Sequence, residues 1–397
     1  MTTTMRLTAL TPELRAAAFH FTVYSSGATA SVYFGIWLAG KGINSEQIGI
    51  INALPVLAML AMNLFVGRIA DRASDWRQVI IIMSVTAGLI PIGLFFTHDF
   101  WGILLVWTLL TLPAGSIPPV IDAATLRLTQ RRGSDFGFVR AWGTVGYMII
   151  AAMAGFITAS FGEASFLPLF LAMSLLRLVV SLQLPRFRAP ATVPTLAETA
   201  PRAGRLREVL RPWFVLPLVA FGLLQANHSI LGAFAGLVWK EHGVSEALIG
   251  PLIAISAGAE ATMMFFWKRI GGRISARHMI LLASVATIVR WTAMAFNPPV
   301  VVLFGLQCLH ALTYAVGYFG MVHFIANWTS EEIAAQAQGF AFVLQQAATV
   351  CILLVFGTLV ASLGAKAFLI AAGLGIVATV CVVVSLWLKP AKGERRP

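Results

Sequence analysis

The sequence predicts an all-α membrane protein of twelve transmembrane helices, built as two six-helix halves. Three observations lead there. Hydrophobic residues make up 58% of the 397-residue chain and charged residues 11%, against about 25% charged in soluble domains. Apolar stretches of about 20 residues recur from end to end, the length that a hydrocarbon core of about 30 Å asks of a helix. The alternating segments of about ten residues that build a membrane barrel do not occur. Finally, one long polar interruption carries Pro185, Pro190, Pro194, Pro201 and a run of Arg, with six apolar stretches on either side.

In chain order the stretches are 17–40, 48–66, 78–97, 100–126, 137–160, 164–184, 212–239, 246–267, 278–296, 299–325, 337–361 and 365–388. They divide the chain into an N-terminal half, 1–184, a cytoplasmic linker, 185–211, and a C-terminal half, 212–397. The halves also match in sequence. Gly42-Ile43-Asn44-Ser45-Glu46-Gln47-Ile48-Gly49 parallels Gly243-Val244-Ser245-Glu246-Ala247-Leu248-Ile249-Gly250, and Arg68-Ile69-Ala70-Asp71-Arg72 parallels Arg269-Ile270-Gly271-Gly272-Arg273. Both pairs are offset by about 201 residues and fall at equivalent loops. An even helix count per half gives a parallel repeat about the membrane normal, with a solute site expected near the midplane between the halves.

The net charge of +12 does not point to nucleic acid, because its placement follows the membrane. Lys and Arg crowd alternate loops: Arg68, Arg72 and Arg77; Arg127, Arg131 and Arg132; Arg186 to Arg211; Lys268, Arg269, Arg273 and Arg277; and Lys389 to Arg396. The opposite loops offer Lys41, Lys240 and Lys366. This asymmetry puts both termini in the cytoplasm of a bacterial-type inner membrane, with a basic face on anionic lipid. One cytoplasmic loop departs from the pattern, with Glu331 and Glu332 and no basic residue. The first apolar run is too long for a cleavable signal peptide. Cys308, Cys351 and Cys381 lie inside predicted helices and read as small core residues, with no disulfide framework and no metal site implied. No HExxH, P-loop or GxSxG spacing occurs, so enzymatic chemistry and a cofactor have no support.

Five ionisable residues lie inside the apolar stretches: Asp122, Arg140, Arg177, Glu260 and Arg290. A charge at the bilayer centre costs from about 2.5 to more than 10 kcal/mol. Such residues therefore face one another, a solute or an aqueous cavity.

Along the chain, the first stretch carries a polar stripe of Thr22, Ser25, Ser26, Thr29 and Tyr33. Helix packing through small hydroxyls accounts for it as well as solute contact does, and Tyr24 and Tyr33 are the solute-contact candidates. After the second stretch, Gly67 permits a tight helix exit, and Asp71 with Arg72 can cap or pair across a cytoplasmic gate. In the fourth stretch Asp122 follows Pro118-Pro119, where missing backbone donors are expected to loosen the helix. Arg140 lies a few residues into the fifth. The short connection makes these stretches antiparallel neighbours, so the two charges can meet at similar depth. Gly143, Thr144 and Tyr147 share the Arg140 face. Arg177 in the sixth has no obvious partner and is expected to snorkel.

Asn227 and His228 add polar groups in the seventh stretch. Glu260 sits in the middle of the eighth, one turn from Ser256, with Arg140 the expected partner across the halves. Arg290 and His310 belong to the ninth and tenth, again antiparallel neighbours, and His310, Thr313, Tyr314 and Gly317 fall on one face. Gln345 and Gln346 in the eleventh carry a weaker signal.

These residues also carry a resemblance. Gly67-Arg68-Ile69-Ala70-Asp71-Arg72 resembles the signature loop of the major facilitator superfamily, and with the repeat it implies that fold. Phe136 to Tyr147 resembles the fifth-helix segment of the lactose permease and phenylpropionate permease branch, whose Arg pairs with a fourth-helix carboxylate at the spacing of Asp122. Gly258-Ala259-Glu260, with Met263 to Phe266 and Arg269 to Gly272, resembles its eighth-helix segment, where the Glu contacts the solute. Val289-Arg290 and Leu309-His310 resemble positions tied there to proton coupling. Departures are present as well. Thr313, Gln307 and Gln345 stand where lactose permease has charged residues, so its charge network through the seventh, tenth and eleventh helices is missing. Gln225 to His228 with Thr313 look more like the phenylpropionate permease branch.

The resemblance implies a monomeric, proton-coupled symporter of a small organic solute, of which an aromatic carboxylate is the expected type. The expected mechanism is competition for Arg140, in which a solute carboxylate displaces Asp122 or Glu260 and the freed acid takes a proton. Asp122, Arg140, Tyr147, Glu260, Tyr24, Tyr33, Asn227, His228 and Tyr314 are the expected solute contacts, and Glu260, Asp122, Arg290 and His310 the coupling set. A sugar or nucleoside symporter is the alternative, then an efflux transporter, then a transporter-like sensor.

Overall fold

The computed structural model describes residues 10–187, 210–270, 274–329 and 331–389, without the side chains of 61, 63–72, 268–270, 331, 332 and 335. The described residues are helical, joined by short turns. The first expected stretch begins earlier than its apolar run, because Thr11 caps α1 (Pro12–Val23) by accepting from the Leu14 N–H, with Pro12 at the first helical position. Helix α2 (Ser25–Gly40) follows after a one-residue break at Tyr24.

Asn44 and Gln47 cap α3 (Ser45–Arg72) reciprocally, each side-chain oxygen accepting from the other's backbone N–H at 2.9 and 3.1 Å. Asp75, Asp99 and Asp135 cap α4 (Trp76–Leu89), α5 (Phe100–Arg132) and α6 (Phe136–Phe161). Helix α5 runs through Pro113, Pro118 and Pro119 without ending, and Gly133 stops it at φ 66°. Helix α7 (Phe166–Ser181) completes this segment.

The second segment holds α8 (Pro212–Ile230), α9 (Gly236–Glu241), α10 (Glu246–Ile270), α11 (Ala276–Met294), α12 (Val300–Cys308), α13 (Gly317–Trp328), α14 (Glu331–Leu363) and α15 (Phe368–Leu388). A π turn, Leu231–Ala235, joins α8 to α9, and a second, Ala311–Val316, follows α12. Among the described residues eight helical stretches are long and apolar enough to cross a membrane, one of them, Gln336–Leu388, taking in both α14 and α15.

The two segments touch most closely at the end remote from the chain termini. A Cβ on Gly155 of α6 would lie 3.1 Å from the Gly250 Cα of α10, and one on Gly250 would collide with the Ala151 carbonyl. Gly49 of α3 meets Gly357 of α14 in the same way. The hydrogen bonds and ion pairs described between the segments lie at this end too. Tyr33 donates to the Glu246 carbonyl at 2.9 Å, and Lys240 pairs with Glu163 across the divide while holding Glu246 of its own segment at 2.8 Å. The molecule is thus closed at that end.

Several buried polar residues hold helices to one another. Arg177 is not at an interface: it is 2% exposed, donating to Ser26 Oγ at 3.2 Å and the Ala87 carbonyl at 3.3 Å. It cannot snorkel because α1, α2 and α4 enclose α7 there. Arg277, which reads as a loop cation, is buried and donates to the Ser385 carbonyl at 2.9 Å. Cys308 and Cys351 are exposed rather than in the core, and Cys381 is half-buried. The gating candidates Gly67, Asp71 and Arg72 have side chains outside the described residues, as does most of the linker.

Candidate functional site

Asp122 and Arg140 meet as the spacing predicts. The Arg140 Nε lies 3.0 Å from Asp122 Oδ1, and both side chains are about a third exposed, at 30% and 34%. A third element completes the pair. Arg140 Nη2 donates to the Tyr24 hydroxyl at 2.9 Å, and its guanidinium stands 5.1 Å from the Tyr24 ring centroid. Gly143 allows this approach, since a Cβ there would sit 3.1 Å from both the Tyr24 ring and Arg140 Nη1. On the far side of Asp122 is His20 of α1, fully buried, with Nε2 3.0 Å from Thr125 Oγ1 and Nδ1 3.9 Å from Asp122 Oδ1. Nothing in the sequence singles out His20, because only the crossing of α1 over α5 brings it to Asp122.

Glu260 does not pair with Arg140. Its Oε2 lies 3.3 Å from His310 Nε2, because α10 packs against the π turn after α12. The expected second focus, Arg290 and His310, is therefore continuous with Glu260. Arg290 is wholly buried and donates to His310 Nδ1 at 3.2 Å, Thr313 Oγ1 at 3.2 Å and Gln307 Oε1 at 2.6 Å. A guanidinium only donates, so His310 Nδ1 accepts, and the ring hydrogen on Nε2 points at Glu260. Ser256 donates to the same Gln307 oxygen at 2.8 Å. His228 Nε2 lies 3.0 Å from Thr313 Oγ1. Its ring stands edge-on to His310 and Tyr314, which stack on each other at 5.2 Å. Gln307 and Thr313 thus bridge the buried cation where charged side chains would otherwise be expected.

The remaining candidates divide. Tyr147 joins the first segment's polar groups through Ser31 Oγ at 2.8 Å. Tyr33 belongs to the closed end. Asn227 is buried and donates to the Ala371 carbonyl at 3.2 Å, tying α8 to α15. Thr22 and Thr29 bond carbonyls of their own helix, and Ser25 bonds the Phe21 carbonyl of α1 across the break, so the stripe of the first stretch serves packing. A shallow cavity lined by Trp37, Lys41, Phe95 and Glu163 lies at the closed end, away from these groups. Among the described residues no cluster of His, Cys, Asp and Glu could hold a metal ion.

Buried and half-buried charges gathered between packed helices, with the closed end on one side of them, define a membrane transporter rather than an enzyme. The profile described as the MFS_1-like family matches residues 14–370. The chain belongs to that family of major facilitator transporters. It is 26% identical over 320 residues to the probable 3-phenylpropionic acid transporter of Escherichia coli, covering 79% of this chain and 82% of that one. It is 25% identical to the maltose permease of Geobacillus stearothermophilus, over 71% and 70% of the two chains. Among solved structures, the nucleoside transporter NupG superposes with a TM-score of 0.78 at 16% identity, over 95% and 99% of the chains. The protein is a secondary transporter of small solutes.

Proposed function

We propose that the protein carries a small aromatic carboxylate into the cell together with a proton, by alternating access of two six-helix halves of a twelve-span chain. The observation that carries this reading is the state of Arg140. It spends Nε on Asp122 and Nη2 on Tyr24, keeps a partly exposed guanidinium, and so can offer a bidentate edge to a solute carboxylate. Tyr24, Tyr147, His310 and Tyr314 supply flat apolar faces for an aromatic ring. The similarity to the probable 3-phenylpropionic acid transporter supports the same solute class.

Loop charge orients the termini to the cytoplasm, which makes the closed end extracellular and the state inward-facing. Glu260, held by a neutral imidazole rather than a cation, is the second carboxylate able to carry a proton when its partner changes. Basic loops lie against anionic lipid, and the unit is a monomer. The gate role of Gly67, Asp71 and Arg72 belongs to the same proposal. A neutral sugar is the second reading, supported by the maltose permease similarity and by two partly exposed carboxylates, Asp122 and Glu260, able to accept from hydroxyls.

Purified protein in liposomes decides between them. An imposed inward proton gradient is expected to drive accumulation of radiolabelled 3-phenylpropionate and not of maltose. Uptake indifferent to the gradient would end the coupling, and uptake of maltose alone would end the carboxylate.

A further inference from the structure

Two complementary atoms face each other in the first segment without meeting. His20 Nδ1 is buried and lacks a hydrogen-bond partner among the described residues, and Asp122 Oδ1, buried too, has the ion pair to Arg140 as its contact. The two atoms stand 3.9 Å apart, a little beyond hydrogen-bond reach. Leaving a buried imidazole nitrogen unpaired is costly, and a competing partner already occupies the carboxylate. Arg140 holds the same Asp122 oxygen at 3.0 Å.

His20 cannot retreat, since Thr125, one turn beyond Asp122 on α5, fixes its other nitrogen at 3.0 Å. Tyr24, one turn beyond His20 at the C-cap of α1, fixes the guanidinium. One face of α1 therefore grips both members of the ion pair, the tyrosine on the cation and the histidine beside the anion. The groups facing His20 and Asp122 are Thr125 from α5, Arg140 from α6 and Tyr24 from α1, with Glu260 of α10 the nearest carboxylate of the other segment described at the site.

We infer that His20 is the second seat of Asp122, taking the carboxylate when Arg140 is claimed by a solute anion and holding the proton that enters with it. The inference rests on the carboxylate reading above. The charges balance. Without solute, the cation of Arg140 and the anion of Asp122 cancel beside a neutral imidazole. A solute monoanion on Arg140 adds one negative charge, and one proton shared between Asp122 and His20 restores neutrality. Asp122 has to travel only the short gap to Nδ1, so the exchange needs no rearrangement of helices. His20 is in this sense a positioning and proton-holding residue that touches no solute.

The test frees Asp122 without any solute. The protein, labelled with nitrogen-15 in its histidine rings, is reconstituted and studied by solid-state NMR, and His20→Gln identifies the His20 signals by difference. In the unsubstituted protein the His20 ring is expected neutral at pH 7. In Arg140→Gln it is expected to become imidazolium at that pH, and in Arg140→Gln with Asp122→Asn to return to neutral. Thr125→Val, which keeps both partners, should leave the charging in place. A His20 ring that stays neutral in Arg140→Gln down to pH 5.5 overturns the inference. Adding 3-phenylpropionate to the unsubstituted protein separates the two ideas. Charging in Arg140→Gln without charging by 3-phenylpropionate keeps the second seat and counts against that solute class.

Discussion

Arg140 is the residue on which the carboxylate reading turns, and its shape matters as much as its charge. Lysine would keep the charge but lose the fork that can hold Asp122, Tyr24 and a carboxylate at once. Arg140→Lys should weaken 3-phenylpropionate uptake by about 10- to 100-fold, the range of one lost charge-assisted hydrogen bond, with expression and thermal stability kept. An unchanged KM would remove Arg140 from the site. Glu260→Gln should leave solute exchange across equilibrated liposomes intact while gradient-driven accumulation is lost. Equal accumulation would clear Glu260 of any coupling role. The Asp122 and Arg140 pairing was legible because a short connection makes adjacent helices antiparallel neighbours. The partner of Glu260 was not, since spacing along a chain says nothing about which distant helix arrives beside it. Arg277 misled for a related reason. It stands among loop arginines in sequence, yet the ends of α11 and α15 close over it.

Helix ends have local causes that the hydropathy reading did not use. Asp75, Asp99, Asp135 and the Asn44–Gln47 pair mark starts, and Gly133 marks a stop, each a local event in which one side chain or one positive φ settles the backbone. The π turns at Leu231–Ala235 and Ala311–Val316 leave no such mark, because a single surplus residue does not alter composition. The second of them bears Thr313 and Tyr314, in keeping with the tendency of such turns to sit at functional positions. Contact between elements depends on what is missing. At Gly155 and Gly250 the backbones of α6 and α10 touch, and the Gly250 hydrogen faces the Ala151 carbonyl. Gly250→Leu should therefore prevent closure at this end. Spin labels across that end should separate by several ångströms in Gly250→Leu, and transport should fall at least about tenfold, as a barrier higher by about 1.4 kcal/mol requires. Unchanged distances would show that the helices absorb the side chain elsewhere.

Across the whole molecule, closure combines these backbone contacts with the Glu163–Lys240–Glu246 cluster. Its members are 38%, 32% and 24% exposed, so water and salt screen them, and an exposed pair contributes about 0–1 kcal/mol. Lys240→Ala should shift the balance between closed and open states by less than about fivefold. High salt should mimic it in unsubstituted protein, as single-molecule distance measurements would reveal. A larger shift would mean that the ions rather than the backbones hold that end. The overall class was evident from hydropathy and the repeat, whereas the closed end was not, for closure depends on the distances between segments.

The chain just before the linker is firmly docked. Phe187 is fully buried, its N–H donates to Asp75, its carbonyl accepts from Arg131, and Arg77 donates to the Leu182 carbonyl at 2.8 Å. A cut after Phe187 would sever none of these contacts and none at the closed end. Covalent continuity at that point is then expected to be dispensable: residues 1–187 and 188–397, co-expressed as separate polypeptides, should co-purify and transport.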